Sequence, residues 1–324
     1  MQDLISVVVP VYNCAPYLDA CLQSLEAQTL QNWEAVLVDD GSTDGSAALC
    51  DAWAGKDARF RVRHQKNAGV SAARNAGIQA CRGSYLAFVD ADDWVEPEFL
   101  HRLYDTIGDT QLAVCCVYDL SDWNEKVRAE TVPLDILRST PSRYANPVYT
   151  NYPCNKLFCT ALIRENELRF PVGVRRCEDA YFVQDYLLCC KAIAVTPEKL
   201  YHYEQHEGSA MHRFYGGVCD DELPLMKRQY AFFHPAGPNS LEKPEEDAFA
   251  RWQYGKILAI LRYILQYAPN SAACKVQICR LLEYPLARHT MLTPPAGTGK
   301  KAVLAALLLR LHAWDGLIQV LKSM

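Results

Sequence analysis

Short apolar runs, each followed by a segment with helical spacing, most constrain what this chain can fold into. The first run, Ile5 to Val11, reads ISVVVPV and has no polar alternation, which is typical of a strand buried on both faces of a parallel sheet. The segment after it, Tyr17 to Gln28, carries apolar residues at helical spacing. These residues are Leu18, Cys21, Leu22 and Leu25. The opening of the chain therefore predicts a βα unit.

The same pattern recurs until about residue 90. Strands are predicted at Trp33 to Val38, Phe60 to His64 and Tyr85 to Val89. A helix to about residue 54 follows the second strand, capped by one of the polar residues at 42–44, and a helix capped by Ser71 follows the third and leads to Gly83. Strands alternating with helices predict an α/β fold with a doubly wound, mostly parallel sheet. Ligands of such sheets bind at the carboxyl ends of the strands.

Composition narrows the class of protein. The chain has 324 residues, half of them apolar, and a net charge of −5, which argues against a nucleic-acid partner. It opens MQDLISVVVPVY, with no basic leader, and no apolar run reaches the ~20 residues of a membrane-spanning helix. We therefore expect a cytoplasmic protein whose 14 cysteines are reduced.

The rest of the chain changes character twice. A helix from Pro97 to Thr106 and a strand from Leu112 to Leu120 are predicted, whereas Asn124 to Pro153, with four prolines, is expected to be loop-like. From about residue 215 helical patterns dominate. We expect a first domain at residues 1–215 and a helical C-terminal region at residues 216–324.

Three aspartates, Asp90, Asp92 and Asp93, directly follow the strand at Tyr85. A helix cap needs only one such residue. Carboxylates this close repel one another unless a cation lies between them, and hard oxygen ligands suit Mg²⁺ or Mn²⁺ carrying phosphates. The cluster favours a metal–diphosphate site over simple capping.

Other polar residues are predicted at the same edge of the sheet. Asp39 and Asp40 end the second strand and either make turns or accept hydrogen bonds from a nucleoside. Arg74 lies early in its helix, where a cation is poorly placed for the helix dipole. It is therefore either a solvated side chain or a specific anion or base contact.

Several motifs in order resemble glycosyltransferase family 2 with the GT-A fold. They are VVVPVYN, DDGSTDGS, NAGVSAARNAGI, FVDADDW, NKLF, RRCEDAYF and LYHYEQHEGS, and the resemblance covers about residues 3–213. The resemblance implies a nucleotide-sugar transferase that uses Mn²⁺ or Mg²⁺.

The resemblance also assigns roles to individual residues. Nucleoside contacts fall on the first strand's end, on both aspartates of the second strand and on Arg74. The positions in that group are Pro10, Val11, Tyr12, Asp39, Asp40 and Arg74. Asp90 and Asp92 become the DxD pair, with Asp92 and Asp93 as candidate metal ligands. Asp179, after Glu178, becomes the catalytic base.

Two positions depart from the family pattern. Cys177 stands where a glycine is common, and Glu204 stands where an arginine is common. The second change removes a cation that could contact the diphosphate, so His202, His206 or Arg213 is expected to substitute for it.

The resulting hypothesis is an inverting, metal-dependent transferase that moves a sugar, with UDP as the expected nucleotide, to a hydroxyl of a glycan or lipid-linked glycan. Residues 300–322 could contact an anionic membrane surface at the inner face of the cell membrane, or they could simply pack against the protein. The alternatives are a nucleotidyltransferase of sugar phosphates and a non-catalytic binding protein on the same scaffold. The first usually needs a glycine-rich basic loop, which VYNCAPYLD lacks.

Overall fold

The computed structural model describes residues 3–118, 124–125, 127–204, 214–237, 240–310 and 314–323. The chain divides into two compact units. The first comprises Met1–Leu137 and Asn146–Gln205, and the second comprises Arg138–Ala145 and His206–Met324. The predicted domain limits, 1–215 and 216–324, stay a prediction.

Within the described residues, nine strands form one mixed sheet in the first unit. They are β1 (Ile5–Val11), β2 (Trp33–Asp39), β3 (Phe60–His64), β4 (Tyr85–Phe88), β5 (Trp94–Val95), β6 (Leu112–Val117), β7 (Glu130–Pro133), β8 (Lys156–Cys159) and β9 (Ala192–His202). Their order is β3-β2-β1-β4-β8-β6-β9-β5, and β7 pairs with β9. Strands β1 to β4, β6 and β9 run parallel, whereas β5, β7 and β8 run antiparallel to their neighbours.

The first half of the sheet confirms the predicted βα units. Every residue of β1 and β2 is buried, as expected for strands covered on both faces. The helices that follow the strands are α1 (Ala15–Glu26), α2 (Ser46–Lys56), α3 (Val70–Ala80) and α4 (Phe99–Ile107). Helix α1 buries the four apolar residues of its predicted face against the core of the sheet. Apolar residues at the helical period of 3.6 and unbroken apolar runs were sufficient to predict these helices and strands.

The prediction that Ser71 caps α3 is wrong. The residue at the helix start is Gly69, with a φ of 90°, and the hydroxyl of Ser71 is buried without a hydrogen-bond partner among the described residues. Gly83 does not cap the helix either. It lies where the chain passes the start of β1, and a Cβ there would come within 2.5 Å of the Leu4 carbonyl oxygen.

The second half of the sheet corrects the loop prediction for Asn124 to Pro153. Among its described residues, that stretch contains β7 and three short helices. Strand β7 forms because it pairs with β9, a partner that no local sequence pattern indicates. The helices are α5 (Leu134–Ser139), α6 (Pro141–Tyr144) and α7 (Pro147–Thr150). Helix α6 belongs to the second unit. Helices α8 (Thr160–Glu165) and α9 (Glu178–Cys189) belong to the first unit.

The second unit is helical, as predicted. Its longer helices are α10 (Val218–Phe233), α11 (Lys243–Tyr267), α12 (Ser271–Glu283), α13 (Pro285–Leu292), α14 (Lys300–Arg310) and α15 (Trp314–Lys322). Their apolar faces form one core, to which α14 and α15 contribute Ala302, Ala305, Leu309, Leu317 and Leu321. Across the described residues, no helix combines the length and the apolar character that crossing a bilayer requires.

Candidate functional site

The loops after β1 and β2 brace each other at the carboxyl edge of the sheet. The amide of Asn13 donates to Ser42 Oγ at 3.1 Å, and Asn13 Oδ1 accepts from the amide of Thr43 at 2.8 Å. Asp44 accepts from the first amide of α1, that of Ala15, at 3.0 Å. Polar side chains thus satisfy backbone groups that the ends of strands and helices leave open. Tyr12, exposed over 53% of its surface, stands at the rim of this braced corner.

Asp39 and Asp40 are buried, and they hold neighbouring loops in place. Asp39 accepts from the Ser42 amide at 2.9 Å and pairs with His64 Nδ1 at 2.9 Å. Burial alone would raise the pKa of Asp39, but the hydrogen bonds from His64 and Ser42 outweigh it and lower the pKa. Asp40 accepts from two backbone amides in the loop before α3, at 2.9 and 2.8 Å, and its own amide donates to the Val11 carbonyl at 2.8 Å. The two aspartates fix the shape of the predicted nucleoside corner.

The aspartate loop after β4 is anchored by Tyr201 of β9. The buried Tyr201 hydroxyl donates to Asp93 Oδ2 at 2.5 Å and accepts from the amide of Asp90 at 3.2 Å. The other Asp93 oxygen accepts from the Glu204 amide at 3.0 Å. Burial, and then the charge of Asp90, raise the pKa of Asp93 to about 8. Asp93 is therefore a buried anchor of the loop, while Asp90 and Asp92 are partly exposed.

Arg74 joins the aspartate loop to the predicted base. Its guanidinium is 3% exposed and donates to Asp90 Oδ1 at 2.7 Å and to Asp179 Oδ1 at 2.5 Å. Glu178 lies 3.7 Å away, and the ring of Phe170 lies 5.2 Å from the guanidinium carbon. Among the described residues, the Nε atom of this arginine finds no hydrogen-bond partner. One buried cation thus connects carboxylates that are far apart in the sequence.

Helix α9 presents Glu178 and Asp179 in its first turn, where acidic side chains suit the helix dipole. Cys177 precedes them with a φ of 63°, a left-handed conformation that favours glycine. Burial raises the pKa of Asp179 to about 6, although the charge of Arg74 lowers it. Burial, and then the charge of Asp179, raise the pKa of Glu178 to about 7. A carboxylate with a pKa near neutrality can accept a proton efficiently.

The residues present fit a divalent cation of the implied kind. The partly exposed Asp90 and Asp92 supply only hard oxygen donors, which suit Mg²⁺ or Mn²⁺. In the part of the chain that the structure describes, no three His, Cys, Asp or Glu side chains are grouped so that they could hold a metal ion. An ion that arrives with phosphate oxygens and water needs only one or two carboxylates.

The structure brings some predicted residues together directly and others only through the loops. Arg74, Asp90 and Asp179 share one ion-pair network, and Val11 contacts Asp40. Pro10 lies inside β1, where it pairs with Val38. The assignments made through the resemblance, including Asp93 as a metal ligand, stay predictions.

Three residues were expected to replace the missing arginine. His202 pairs with Glu96 and stacks on the ring of Trp94. His206 and Arg213 lie outside the described residues. Tyr201 and Lys156 were missed. Lys156 is completely buried and donates to three oxygens, at 2.6 to 2.8 Å. The only sequence signal for either was its place in the NKLF and LYHYEQ motifs.

Comparisons with known proteins agree with this architecture. The family model described as "Glycosyl transferase family 2" matches residues 6–166. The uncharacterized glycosyltransferase EpsJ of Bacillus subtilis is 30% identical over 328 residues, covering 97% of this chain and 93% of EpsJ.

Solved structures share the fold. Residues 1–349 of S. aureus TarS in complex with UDP-GlcNAc match with a TM-score of 0.62 and 19% identity, covering 98% of this chain and 90% of that one. The mannosyltransferase PcManGT from Pyrobaculum calidifontis, in complex with GDP-Man and Mn²⁺, matches with a TM-score of 0.55 and 17% identity, covering 99% and 86%. The sheet order, the carboxylates at its edge and these relatives lead to one conclusion: the chain belongs to glycosyltransferase family 2, has the GT-A fold and is a glycosyltransferase.

Proposed function

We propose that the protein transfers a sugar from a UDP-sugar to a hydroxyl group of a glycan, with inversion at the anomeric carbon and with the help of a divalent cation. The observation that carries the proposal is the position of Arg74, whose guanidinium contacts both Asp90 and Asp179. The aspartate loop and the candidate base therefore meet at one point, although 105 residues separate the arginine from the base.

The donor half of the proposed site lies at the ends of β1, β2 and β4. The braced loops carrying Asp39 and Asp40 form a rigid corner at the carboxyl ends of parallel strands, where nucleotides bind in open α/β sheets. The structures of TarS and PcManGT contain UDP-GlcNAc and GDP-Man, respectively. We therefore assign the nucleoside to this corner and the diphosphate to the loop containing Asp90 and Asp92.

A bound Mn²⁺ or Mg²⁺ would neutralise the negative charge that the departing diphosphate gains. Asp92, with Asp90 beside it, would hold the ion. If this assignment is right, removal of divalent cations with EDTA should weaken UDP-sugar binding measured by calorimetry, and added Mn²⁺ should restore it. Unchanged affinity in EDTA would contradict the role given to Asp92.

Asp179 would take the proton from the acceptor hydroxyl. A hydroxyl is a weak nucleophile at neutral pH, and a positioned carboxylate speeds its attack. Arg74 lowers the pKa of Asp179 against the effect of burial, and so favours the ionised form that a base needs. A single base facing a single leaving group predicts inversion of the anomeric carbon.

The central experiment measures nucleotide release from UDP-glucose, UDP-galactose, UDP-N-acetylglucosamine and GDP-mannose in the presence of Mn²⁺ and a mixture of glycan acceptors. We expect UDP to be released from at least one UDP-sugar and sugar to be transferred. Asp179→Asn should reduce transfer by roughly 10²- to 10⁴-fold, the usual contribution of a general base, with nearly unchanged UDP affinity.

Asp185→Asn is the matched control, since Asp185 lies in the same helix beyond the first turn. Transfer by Asp179→Asn at the level of this control would show that the base is wrongly assigned. Release of pyrophosphate from UTP and a sugar phosphate would indicate a nucleotidyltransferase instead.

A membrane contact through residues 300–322 remains a separate proposal. Most of the described apolar residues of α14 and α15 pack into the core of the second unit, but Leu304 is exposed. Any contact would therefore rest on that leucine and on exposed charges such as those of Lys300 and Lys301. Sedimentation with vesicles of anionic phospholipid tests it, and loss of binding at high salt is the expected signature.

A further inference from the structure

Three neighbouring strands each place one aromatic ring at the same edge of the sheet. Trp94 of β5 lies directly opposite His202 of β9 in the antiparallel pair. Tyr118 follows β6, and its amide donates to the Tyr201 carbonyl of β9 at 2.9 Å. The register shifts between β6 and β9 just before this point, and such irregularities redirect side chains.

The rings form one parallel stack with the histidine in the middle. The centroid of His202 lies 3.3 Å from that of Trp94, with an interplanar angle of 8°, and 3.8 Å from that of Tyr118, with an angle of 14°. The two outer rings therefore cover opposite faces of the imidazole. Each outer ring has one face directed away from the stack, and Tyr118 is 39% exposed. We call these three residues the ring stack.

Two glutamates fix the edges of the ring stack. Glu96 Oε1 lies 2.8 Å from His202 Nε2, and Glu96 also hydrogen-bonds Tyr118. Glu204 Oε1 accepts from the indole N–H of Trp94 at 3.1 Å. These hydrogen bonds hold the edges of the three rings in place. Both glutamates are at least partly exposed.

The ring stack is continuous with the aspartate loop. Trp94 directly follows Asp93, and the amide of Glu204 donates to Asp93 Oδ1 at 3.0 Å. In the strand order, β1 and β2 lie on one side of β4, while β9 and β5 lie on the other. The ring stack therefore belongs to the half of the sheet that the proposed nucleoside corner does not use.

We propose that the exposed face of Tyr118 is a subsite for a sugar ring of the acceptor glycan. This inference rests on the proposed function. The C–H groups on the face of a pyranose carry partial positive charge and suit the negative face of an aromatic ring. The hydroxyls at the edge of the sugar can donate to carboxylates such as Glu96 and Glu204. Lys199, whose Nζ lies over the Tyr118 ring at 5.9 Å from its centroid, would move aside to admit the sugar and donate to its oxygens.

A purely structural role does not require this arrangement. Cross-strand aromatic pairs stabilise sheets, and Trp94 with His202 already forms such a pair. The additional ring of Tyr118 leaves more than a third of its surface in water. Rigid aromatic surfaces beside a few placed polar groups are typical of ligand sites.

The test uses saturation-transfer NMR on the full chain with UDP and Mg²⁺, which is diamagnetic. The probes are methyl β-glucopyranoside and methyl N-acetyl-β-glucosaminide, and sorbitol serves as a polyol without a ring face. Tyr118→Leu removes the aromatic face, while Tyr118→Phe keeps it. Tyr104→Leu is the matched control, because Tyr104 packs on Tyr85 at the start of β4, at the opposite edge of the sheet.

We expect at least one glycoside, but not sorbitol, to bind the wild-type protein and Tyr118→Phe. Tyr118→Leu should bind it roughly 2- to 10-fold more weakly, the range expected for a lost aromatic contact, and Tyr104→Leu should bind it as the wild type does. Equal affinity for wild type and Tyr118→Leu, or no glycoside binding by the wild type, would overturn the inference. Hydrolysis of UDP-sugars by the wild type, measured separately, shows whether the proposed function itself fails.

Discussion

Tyr201 offers the sharpest test of how the aspartate loop is held. Tyr201→Phe keeps the buried ring, so it opens no cavity, and removes only the hydroxyl. That hydroxyl donates to Asp93 and accepts from the amide of Asp90. The substitution therefore isolates the two hydrogen bonds that anchor the loop.

The magnitude follows from those two bonds. A neutral hydrogen bond contributes about 0.5–1.5 kcal/mol. Burial raises the pKa of Asp93 and so favours its neutral carboxyl, and both bonds are counted here as neutral. Tyr201→Phe should lower the free energy of unfolding by about 1–3 kcal/mol. If roughly half of that, about 0.5–1.5 kcal/mol, is expressed in positioning the loop, donor affinity should fall about 2- to 10-fold, since 1.4 kcal/mol corresponds to a factor of ten.

Tyr186→Phe is a closely matched control. The hydroxyl of Tyr186 also accepts one backbone amide, that of Cys159 at 2.8 Å, and donates to one oxygen, the Gln111 carbonyl at 2.5 Å. Both tyrosines are fully buried in the first unit. The two variants should lose similar stability, but only the Tyr201 variant should lose donor affinity.

The assay combines thermal unfolding with calorimetric titration of a UDP-sugar in Mn²⁺. A Tyr201→Phe protein that is destabilised like the control, yet binds the donor as the wild type does, would refute the reasoning. The loop would then keep its binding geometry without the anchor.

Three further outcomes follow from the region of Asp179. Since burial raises its pKa to about 6 and a base must be ionised, kcat/KM for transfer should fall as the pH drops through about 6. Arg74→Gln removes the cation that lowers this pKa, so it should move the acidic limb to higher pH, and an unmoved limb would contradict the pairing. Cys177→Gly relieves a left-handed residue with a φ of 63° and should raise the free energy of unfolding by about 0.5–1 kcal/mol. Denaturant titration measures the gain, and a loss of stability would show that the thiol's contacts outweigh the strain.

The sequence predicted best the elements that local patterns define. The bounds of β1 and β3 were correct to the residue, because short apolar runs flanked by turn residues rarely form anything other than a strand. The apolar face of α1 was correct for the same reason. Helices of the second unit were also recognised from their period.

Elements that depend on distant partners were not predictable in this way. Strand β7 forms because it pairs with β9, and the short sequence Glu130–Pro133 carries no strand pattern of its own. The cap of α3 failed for a related reason. Ser71 suits a cap by residue type, but the backbone bend at Gly69 sets where the helix begins.

The candidate site shows the same division. The aspartates after β4 could be recognised from charge and position alone. The contact of Arg74 with Asp179 could not, because it joins side chains from α3 and α9 that no spacing relates. Tyr201 likewise reads as an ordinary strand residue, and only the fold reveals that its hydroxyl reaches Asp93.

The anchoring of Asp93 by Tyr201 also bears on how the protein is made. The strands β1 to β4 pair with one another within the first 88 residues, so this half of the sheet can form early during synthesis. The residue that anchors the aspartate loop, Tyr201, lies 108 residues beyond Asp93 in the chain and is synthesised later. A nascent chain that ends before β9 would carry the acidic loop without its anchor. A shorter chain that ends before α9 would also leave Arg74 without Asp179. Competence to bind a donor should therefore appear late, as a single step when β9 joins the sheet.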